Sequence, residues 1–163
     1  MRAIGRPYVG ALYPGLMLTA DGPKVLEFNC RFGDPETQVL LPLLGGDFGR
    51  LLLACAEGRL EPAAVRTRAG AAACVVLAAA GYPDAPERGA PITGVDAAEA
   101  SGATVLHAGT ALRDGELVVA GGRVLSVVAE GATVPQAAGR ALAAAERVRF
   151  AGRQLRRDIG RSR

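Results

Sequence analysis

The chain carries the stretch VLEFNCRFGDPETQ at residues 25–38, and this stretch decides how the first part of the chain folds. Its first half alternates between apolar and polar side chains. The apolar set is Leu26, Phe28, Cys30 and Phe32, and the polar set is Glu27, Asn29 and Arg31. Because side chains of a β-strand point alternately to its two faces, this repeat predicts a strand with one apolar face and one polar face.

The polar face of this strand carries groups that suit a metal and a phosphate. Alternate residues lie about 7 Å apart along a strand. A carboxylate at Glu27 beside a carboxamide at Asn29 suits an oxygen-seeking cation such as Mg²⁺. The guanidinium of Arg31 suits a phosphate or an acyl phosphate. The pattern predicts a nucleotide-phosphate and metal site, and the alternative is a surface ion pair between Glu27 and Arg31.

The residues after the strand favour the site over the surface ion pair. The order Gly33-Asp34-Pro35 predicts a strand exit, followed by Asp34 as a helix N-cap and Pro35 as the first helical residue. A helix N-terminus close to the polar face would attract anions. Glu36 would then be a favourable charge in the first helical turn. A catalytic role for Asp34 or Glu36 stays open.

Turn signals and periodicity predict an α+β fold. We expect a β-hairpin at 9–19 and 24–32 with its turn at Asp21-Gly22, then helices at 35–44 (interrupted near Pro42) and at 48–57. Asp47 would cap the second helix and Gly58 would close it. We expect strands at 72–79, 104–108, 116–120 and 123–129, with hairpin turns at 114–115 and 120–122. A long helix is predicted at 135–150, with Leu142, Ala145 and Val148 on one stripe.

Composition narrows the class of partner. The net charge is only +3, which is too small for a nucleic-acid footprint and leaves phosphate-bearing small molecules as the anionic partners. Basic residues cluster only at the C-terminus, as a solvated tail or as a ligand-facing group: Arg153, Arg156, Arg157, Arg161 and Arg163.

The cysteines and the apolar runs indicate the compartment. Cys30, Cys55 and Cys74 are odd in number and widely spaced, so we expect reduced core residues rather than disulfides or a metal site. The longest apolar run, 69–80, is too short to span a bilayer. We therefore expect a soluble, cytoplasmic protein with no membrane partner.

Residues 26–38 closely resemble the strand-and-turn motif of the glycinamide ribonucleotide synthetase (phosphoribosylamine–glycine ligase) family, within the ATP-grasp superfamily. Residues 5–18 are similar to the segment that precedes this motif in the family. Further family motifs follow in the family's order: Gly81-Tyr82-Pro83, Pro91-Ile92-Thr93-Gly94, His107-Ala108-Gly109-Thr110, Gly121-Gly122-Arg123-Val124-Leu125 and Arg157-Asp158-Ile159-Gly160. The resemblance covers essentially the whole chain.

The resemblance implies a domain organisation. Residues 1–60 would be the C-terminal segment of an ATP-grasp domain, 61–70 a linker, and 71–163 the small α+β C-terminal domain of the synthetase. The long N-terminal part of the family, with most of the ATP-grasp fold, has no counterpart in these 163 residues. That missing N-terminal part would be a partner, without which we expect this portion to be inactive.

The resemblance also implies a reaction. In the family, ATP as co-substrate phosphorylates the carboxylate of glycine, and the amine of 5-phosphoribosylamine attacks the glycyl phosphate, giving glycinamide ribonucleotide, ADP and phosphate. Glu27 and Asn29 match the ligands of Mg²⁺ or Mn²⁺, and Arg31 matches a catalytic position that stabilises the transferring phosphate. A second metal-binding carboxylate, found in many ATP-grasp enzymes, corresponds here to Gly15.

Four further residues have two interpretations each. Met17 could form a wall for adenine or could belong to the core. Arg157 and Asp158 could bind 5-phosphoribosylamine, or form an ion pair that pins the C-terminus. His107 could be a base or a structural residue. For the whole chain, the alternative to part of a ligase is a stand-alone, non-catalytic nucleotide-binding or interaction module. Another carboxylate–amine ligase is disfavoured by the Gly33–Glu36 run.

Overall fold

The computed structural model describes residues 1–161 and divides into two compact units. The first unit contains Met1–Thr37 and Leu44–Arg68, and the second contains Gln38–Leu43 and the chain from Ala69 onward. Arg163, a member of the predicted basic run, lies outside the described residues. The predicted boundaries at 60 and 70 stay a prediction, and the segment between them holds a short 3₁₀ turn, Pro62–Ala64, and the strand Arg66–Thr67.

The first unit is built on the predicted β-hairpin. Strands β1 (Tyr13–Thr19) and β2 (Gly22–Asn29) pair in antiparallel fashion. The turn is formed by residues 20 and 21, one position earlier than expected, and β1 begins four residues later than expected. The pairing passes from Gly15–Glu27 to Leu16–Val25, so Leu26 has no partner opposite it. This β-bulge interrupts the strict alternation that the sequence predicted. One extra residue on β2 changes the face of the hairpin toward which neighbouring side chains point.

The helix after β2 does not begin where the sequence predicts. Helix α1 runs from Thr37 to Leu43 with Pro42 inside it. The backbone N–H of Thr37 donates to the carbonyl of Gly33 at 3.1 Å, so residues 34–36 form a turn ahead of the helix. The predictions of Asp34 as N-cap and of Glu36 as a first-turn charge are therefore wrong.

The second predicted helix is observed with its cap. Helix α2 (Phe48–Ala56) follows strand β3 (Leu44–Gly45), which pairs with β4 (Arg66–Thr67). The carboxylate of Asp47 accepts a hydrogen bond from the backbone N–H of Arg50 at 3.0 Å. A capping carboxylate satisfies an N–H that has no partner within the helix, which explains why the helix starts at this point.

The second unit is a three-stranded antiparallel sheet covered by a helix. The sheet has the order β5 (Ala71–Ala78), β9 (Arg123–Gly131), β6 (Thr104–His107). Helix α3 (Val95–Glu99) precedes β6, and α4 (Val134–Ala145) follows β9 and packs on β5 and β9. A separate hairpin joins β7 (Thr110–Arg113) to β8 (Glu116–Val119).

The turn predicted at 120–122 is not a hairpin. Strands β8 and β9 belong to different sheets. The backbone N–H groups of Ala120 and Gly121 both donate to the carbonyl of Gly109, at 2.7 and 3.1 Å. A β-carbon on Gly109 would lie 2.7 Å from the α-carbon of Gly121, so only glycine fits this crossing of two chain segments. The glycines that suggested a tight turn serve this close approach instead.

Helix α4 ends at Ala145 rather than at Phe150. Beyond its end, the backbone of Arg149 exchanges hydrogen bonds of 2.9 Å with that of Thr93, so this segment is extended and cannot continue the helix. Val148, expected on the helical stripe, is still fully buried, but from this extended segment. The face of α4 against the sheet is made of alanines: Ala137, Ala141, Ala144 and Ala145, all at most 1% exposed.

The two units differ in how far they bury apolar side chains. The core lies in the second unit, around Val75, Leu77, Leu125 and Val127. In residues 1–68 the structure shows only Gly33 as buried. Phe28 on the hairpin is 61% exposed. The three cysteines remain thiols, and Cys74 is buried as predicted. The prediction of core residues is wrong for Cys30, which is exposed, and for Cys55, which is half-buried on a helix without buried residues.

The close packing of α4 gives a test of the fold. Ala141→Leu should destabilise the chain by about 1–3 kcal/mol, because a larger side chain cannot fit between the helix and the sheet. Ala143→Leu on the exposed face of the same helix should change stability by no more than about 0.5 kcal/mol. Urea unfolding followed by circular dichroism measures both. Equal effects of the two variants would contradict the packing described here.

Candidate functional site

The three polar residues predicted on one strand form a continuous hydrogen-bonded chain, although the strand predicted to reach residue 32 ends at Asn29 and Arg31 lies two residues beyond it. The Asn29 Nδ2 donates to Glu27 Oε1 at 3.0 Å, and Arg31 Nη2 donates to Asn29 Oδ1 at 3.3 Å. Arg31 Nη1 also donates to the carbonyl of Phe32 at 2.9 Å, which ties the guanidinium to the end of the strand. The carboxamide thus lies between the two charges. This arrangement differs from the direct surface ion pair that was the alternative.

Strand β1 contributes to the same face of the hairpin. Tyr13 lies opposite Asn29, and Gly15 lies opposite Glu27. A β-carbon at Gly15 would lie 3.1 Å from Glu27 Cγ, so a side chain there would crowd the carboxylate. Met17 lies two residues along the same strand, opposite Lys24, and is 52% exposed. An exposed Met17 does not belong to a core in this chain.

Tyr13 and Glu36 add a second interaction to this face. A hydrogen bond from the phenol to the Glu36 carboxylate raises the pKa of Tyr13, and partial burial and the charges of Glu36 and Glu27 act in the same direction. Arg31 opposes the rise because its positive charge favours the phenolate. Glu36 packs against Gly33, where a β-carbon would collide with the carboxylate. The turn at 33–36 therefore brings Glu36 back to the strand.

The donor atoms on β2 fit a magnesium-type ion. Glu27 and Asn29 carry carboxylate and carboxamide oxygens, the ligand types that hard cations prefer. Here the carboxamide turns its Nδ2 to Glu27 and its oxygen to Arg31, so joint binding of one ion requires the carboxamide to rotate. Within residues 1–161 no group of three or more His, Cys, Asp or Glu side chains could hold a metal. A site with few protein ligands suits Mg²⁺, which usually keeps water and binds one or two protein carboxylates together with substrate phosphates.

In the second unit, Arg157 and Asp158 are each paired with another residue rather than with one another. Arg157 Nη1 lies 2.6 Å from Glu146 Oε1. Asp158 accepts two hydrogen bonds from Arg156, from Nε at 3.0 Å and from Nη2 at 2.6 Å. Arg157 lines a groove of about 450 Å³ between α4 and residues 156–161. Only Arg157 of the two predicted substrate-binding residues is among the groove's lining residues.

His107 belongs to a region where three sequence motifs meet. Its Nδ1 lies 3.0 Å from the Thr110 hydroxyl, and the ring is exposed at the end of β6. Arg123 Nε donates to the Tyr82 hydroxyl at 3.0 Å, and the N–H of Gly109 donates to the Arg123 carbonyl at 2.8 Å. These contacts join motifs far apart in sequence at one end of the sheet. The choice between base and structural residue for His107 stays open.

Sequence reasoning missed Tyr13 and Glu146. For Tyr13 a signal existed, because it lies two residues before Gly15, which was already placed beside the metal strand. For Glu146 the sequence held no local signal. It lies eleven residues from Arg157, and only the tertiary fold brings their side chains together.

Comparison with known proteins decides the family. Residues 72–162 match the family described as "Phosphoribosylglycinamide synthetase, C domain", and residues 1–37 match "Phosphoribosylglycinamide synthetase, ATP-grasp (A) domain". The chain belongs to the phosphoribosylglycinamide synthetase family. The resemblance proposed from the sequence motifs is thereby confirmed.

Several relatives show how much of a family member the chain represents. It is 49% identical over 160 residues to a phosphoribosylamine–glycine ligase of Mesorhizobium japonicum and 51% identical over 162 residues to one of Caulobacter vibrioides. Each match covers 98% of this chain and 38% of the relative. It is 49% identical to the trifunctional purine biosynthetic protein adenosine-3 of Gallus gallus, of which it covers 16%. The chain thus spans well under half the length of these relatives.

A solved structure confirms the α+β fold. The chain superimposes on the crystal structure of phosphoribosylamine–glycine ligase from Thermotoga maritima with a TM-score of 0.74 and 43% identity, over 90% of this chain and 36% of that one. Within residues 1–161, none of the helices has the length and apolar character needed to cross a membrane.

The Tyr13–Glu36 contact predicts a shifted titration. In Glu36→Gln the pKa of Tyr13 should fall toward its ordinary value of 10.0, because the carboxylate no longer holds the phenolic proton. The ultraviolet absorbance of tyrosinate, recorded against pH, measures this. Subtracting the titration of Tyr13→Phe isolates Tyr13 from Tyr8 and Tyr82. An unchanged midpoint in Glu36→Gln would show that the two side chains do not interact.

Proposed function

We propose that this chain is the C-terminal portion of a phosphoribosylamine–glycine ligase. That enzyme would use ATP to activate glycine as glycyl phosphate and would join it to 5-phosphoribosylamine, releasing ADP and phosphate. The observation that carries the proposal is the hydrogen-bonded chain of Glu27, Asn29 and Arg31, in a sequence that belongs to the synthetase family.

The polar face of the hairpin would hold the metal and the transferring phosphate. Glu27 and Asn29 would bind Mg²⁺ or Mn²⁺, which neutralises phosphate charge when bound. Arg31 would contact the transferring phosphate. Its hydrogen bonds to Asn29 and to the Phe32 carbonyl orient the guanidinium before substrate arrives. Phosphoryl transfer is accelerated mainly by such positioning and by electrostatic stabilisation, so preorganised charges are the appropriate device.

Two further residues would contact the substrates. Met17 lies on the same face of β1 as Gly15 and is half exposed, which suits an apolar wall for the adenine of ATP. Arg157 would bind the phosphate of 5-phosphoribosylamine from its groove beside α4. Asp158 would contribute to substrate binding indirectly. Its two hydrogen bonds orient Arg156, which lines the same groove.

The missing N-terminal part of the enzyme would be the partner of this portion. Three observations support that requirement. The chain covers 38% of its bacterial relatives, and its match to the ATP-grasp domain ends at residue 37. The hairpin also leaves large apolar side chains uncovered, including Leu18 at 81% exposure and Leu26 at 65%. Burying such side chains is favourable by about 1.5–3 kcal/mol each.

The proposal is tested by completing the chain. The N-terminal region of the Mesorhizobium relative is fused to residues 1–163, and ADP formation dependent on glycine and 5-phosphoribosylamine is measured. We expect turnover from the fusion and none from the 163-residue chain. Robust activity of the isolated chain would contradict the proposal that it is an incomplete portion. An inactive but folded fusion would favour a non-catalytic module.

Glu27 gives the sharper test of the metal strand. In the fusion, Glu27→Gln should lower kcat on the order of 10²-fold and raise the Mg²⁺ concentration needed for half-maximal rate, because a ligand charge is lost. Glu57→Gln is the matched control, since Glu57 is an exposed carboxylate paired with Arg59 on the same unit. Normal turnover and normal Mg²⁺ dependence in Glu27→Gln would refute the metal assignment.

A further inference from the structure

Glu146 lies between two arginines of very different exposure. Its Oε2 is 2.6 Å from Arg153 Nη2, and its Oε1 is 2.6 Å from Arg157 Nη1. The side chain of Arg153 is 13% exposed, whereas that of Arg157 is 68% exposed. The carboxylate thus connects a guanidinium that is anchored in the protein to one that reaches the surface.

The Arg153 end of this bridge is firmly held. Arg153 Nη1 donates to the carbonyl of Ala145 at 2.7 Å and also to the carbonyl of Val148. These carbonyls lie at and just beyond the end of α4, where backbone acceptors have no partner within the helix. Arg153 therefore caps the helix, and the same guanidinium fixes the position of Glu146.

A carboxylate at this place is unfavourable without the arginines. Glu146 is the C-cap of α4, and the C-terminal end of a helix carries partial negative charge that repels an anion. The hydrogen bond from Arg153 and the charges of both arginines nevertheless lower the pKa of Glu146, although partial burial acts in the opposite direction. The carboxylate therefore stays ionised, and its charge is available to Arg157.

The Arg157 end of the bridge faces the groove beside α4. This groove has a volume of about 450 Å³, with an apolar wall from α4 and a basic wall from the chain end. The two walls include Pro135, Ala138 and Leu142 on one side and Arg156, Arg157 and Arg161 on the other. A β-carbon on Gly139, within the apolar wall, would meet no atom within 4 Å, so the groove is open there.

We propose that Glu146 is a positioning residue for substrate binding: anchored by Arg153, it holds the guanidinium of Arg157 in the groove so that this group can receive the phosphate of the sugar substrate. Arg157 Nη1 is in ion-pair contact with Glu146 Oε1, an oxygen that has no aligned hydrogen bond, and the guanidinium keeps N–H donors for a phosphate. Holding a flexible side chain in its binding geometry lowers the entropic cost of capture. This inference rests on the proposed role of Arg157.

The alternative is that Glu146 only pins the end of the chain to α4. A ligand distinguishes the two roles, because a purely structural bridge would not affect phosphate affinity. Ribose 5-phosphate, inorganic phosphate and ribose are titrated into the 163-residue chain by NMR. We expect saturable shifts at the groove with ribose 5-phosphate, weaker binding of phosphate, and none with ribose. No binding of ribose 5-phosphate by the wild-type chain would overturn the proposal.

Variants then separate Glu146 from Arg157. Glu146→Gln, which keeps the side-chain shape, should weaken ribose 5-phosphate binding on the order of tenfold. Arg157→Gln should weaken binding at least as much, and the double variant should bind no more weakly than Arg157→Gln alone, because both act through one guanidinium. Glu146→Asp, which keeps the charge, should recover part of the affinity. Glu57→Gln is the control with an equivalent lost charge.

Folding and function are checked independently. Thermal unfolding shows whether a variant is folded at the titration temperature, and Glu146→Asp serves if Glu146→Gln is not. Wild-type affinity in a folded Glu146→Gln would overturn the proposal. In the ligase fusion, Glu146→Gln should raise the KM for 5-phosphoribosylamine while kcat and the KM for ATP stay unchanged. A fusion without ligase activity, combined with Glu146-dependent binding by the chain, would refute the proposed function alone.

Discussion

The second unit depends on one strand, β9, which is paired on both sides and buried on both faces. Residues 124–129 are all buried, with β5 along one edge and β6 along the other. Because every backbone group of such a strand must find a partner away from water, its neighbours are tightly constrained. The alanine face of α4 follows from the same constraint, since only small side chains let the helix pack closely on β5 and β9.

That packing also determines where charged groups can gather. Helix α4 ends at Ala145, and the carbonyls at its end attract the guanidinium of Arg153. Glu146 follows at once and connects this largely buried arginine to Arg157 beside the groove. The position of an exposed arginine that lines the groove therefore depends on the point at which a core helix stops. The packing of α4 on the sheet thus influences the position of the candidate phosphate-binding arginine, Arg157.

The first unit differs from the second because its polar side chains are hydrogen-bonded to one another while few of its apolar side chains are buried. Its polar face is organised by short hydrogen-bonded steps from Arg31 through Asn29 to Glu27, whereas its apolar side chains are largely exposed. Local hydrogen bonds between residues two apart in the chain need no core, so these three side chains are hydrogen-bonded to one another although little of the unit is buried.

The sequence by itself determined the features that depend on near neighbours. Alternation predicted the strand that carries Glu27 and Asn29, though not its end before Arg31, and a capping aspartate predicted the start of α2. It could not determine which strands pair, because β8 and β9 are adjacent in sequence but bond to different partners. Nor could it place Glu36 against Tyr13, or Glu146 between Arg153 and Arg157. Those contacts join residues whose separation in space is set by backbone hydrogen bonds and packing elsewhere in the chain, and only the tertiary structure decides them.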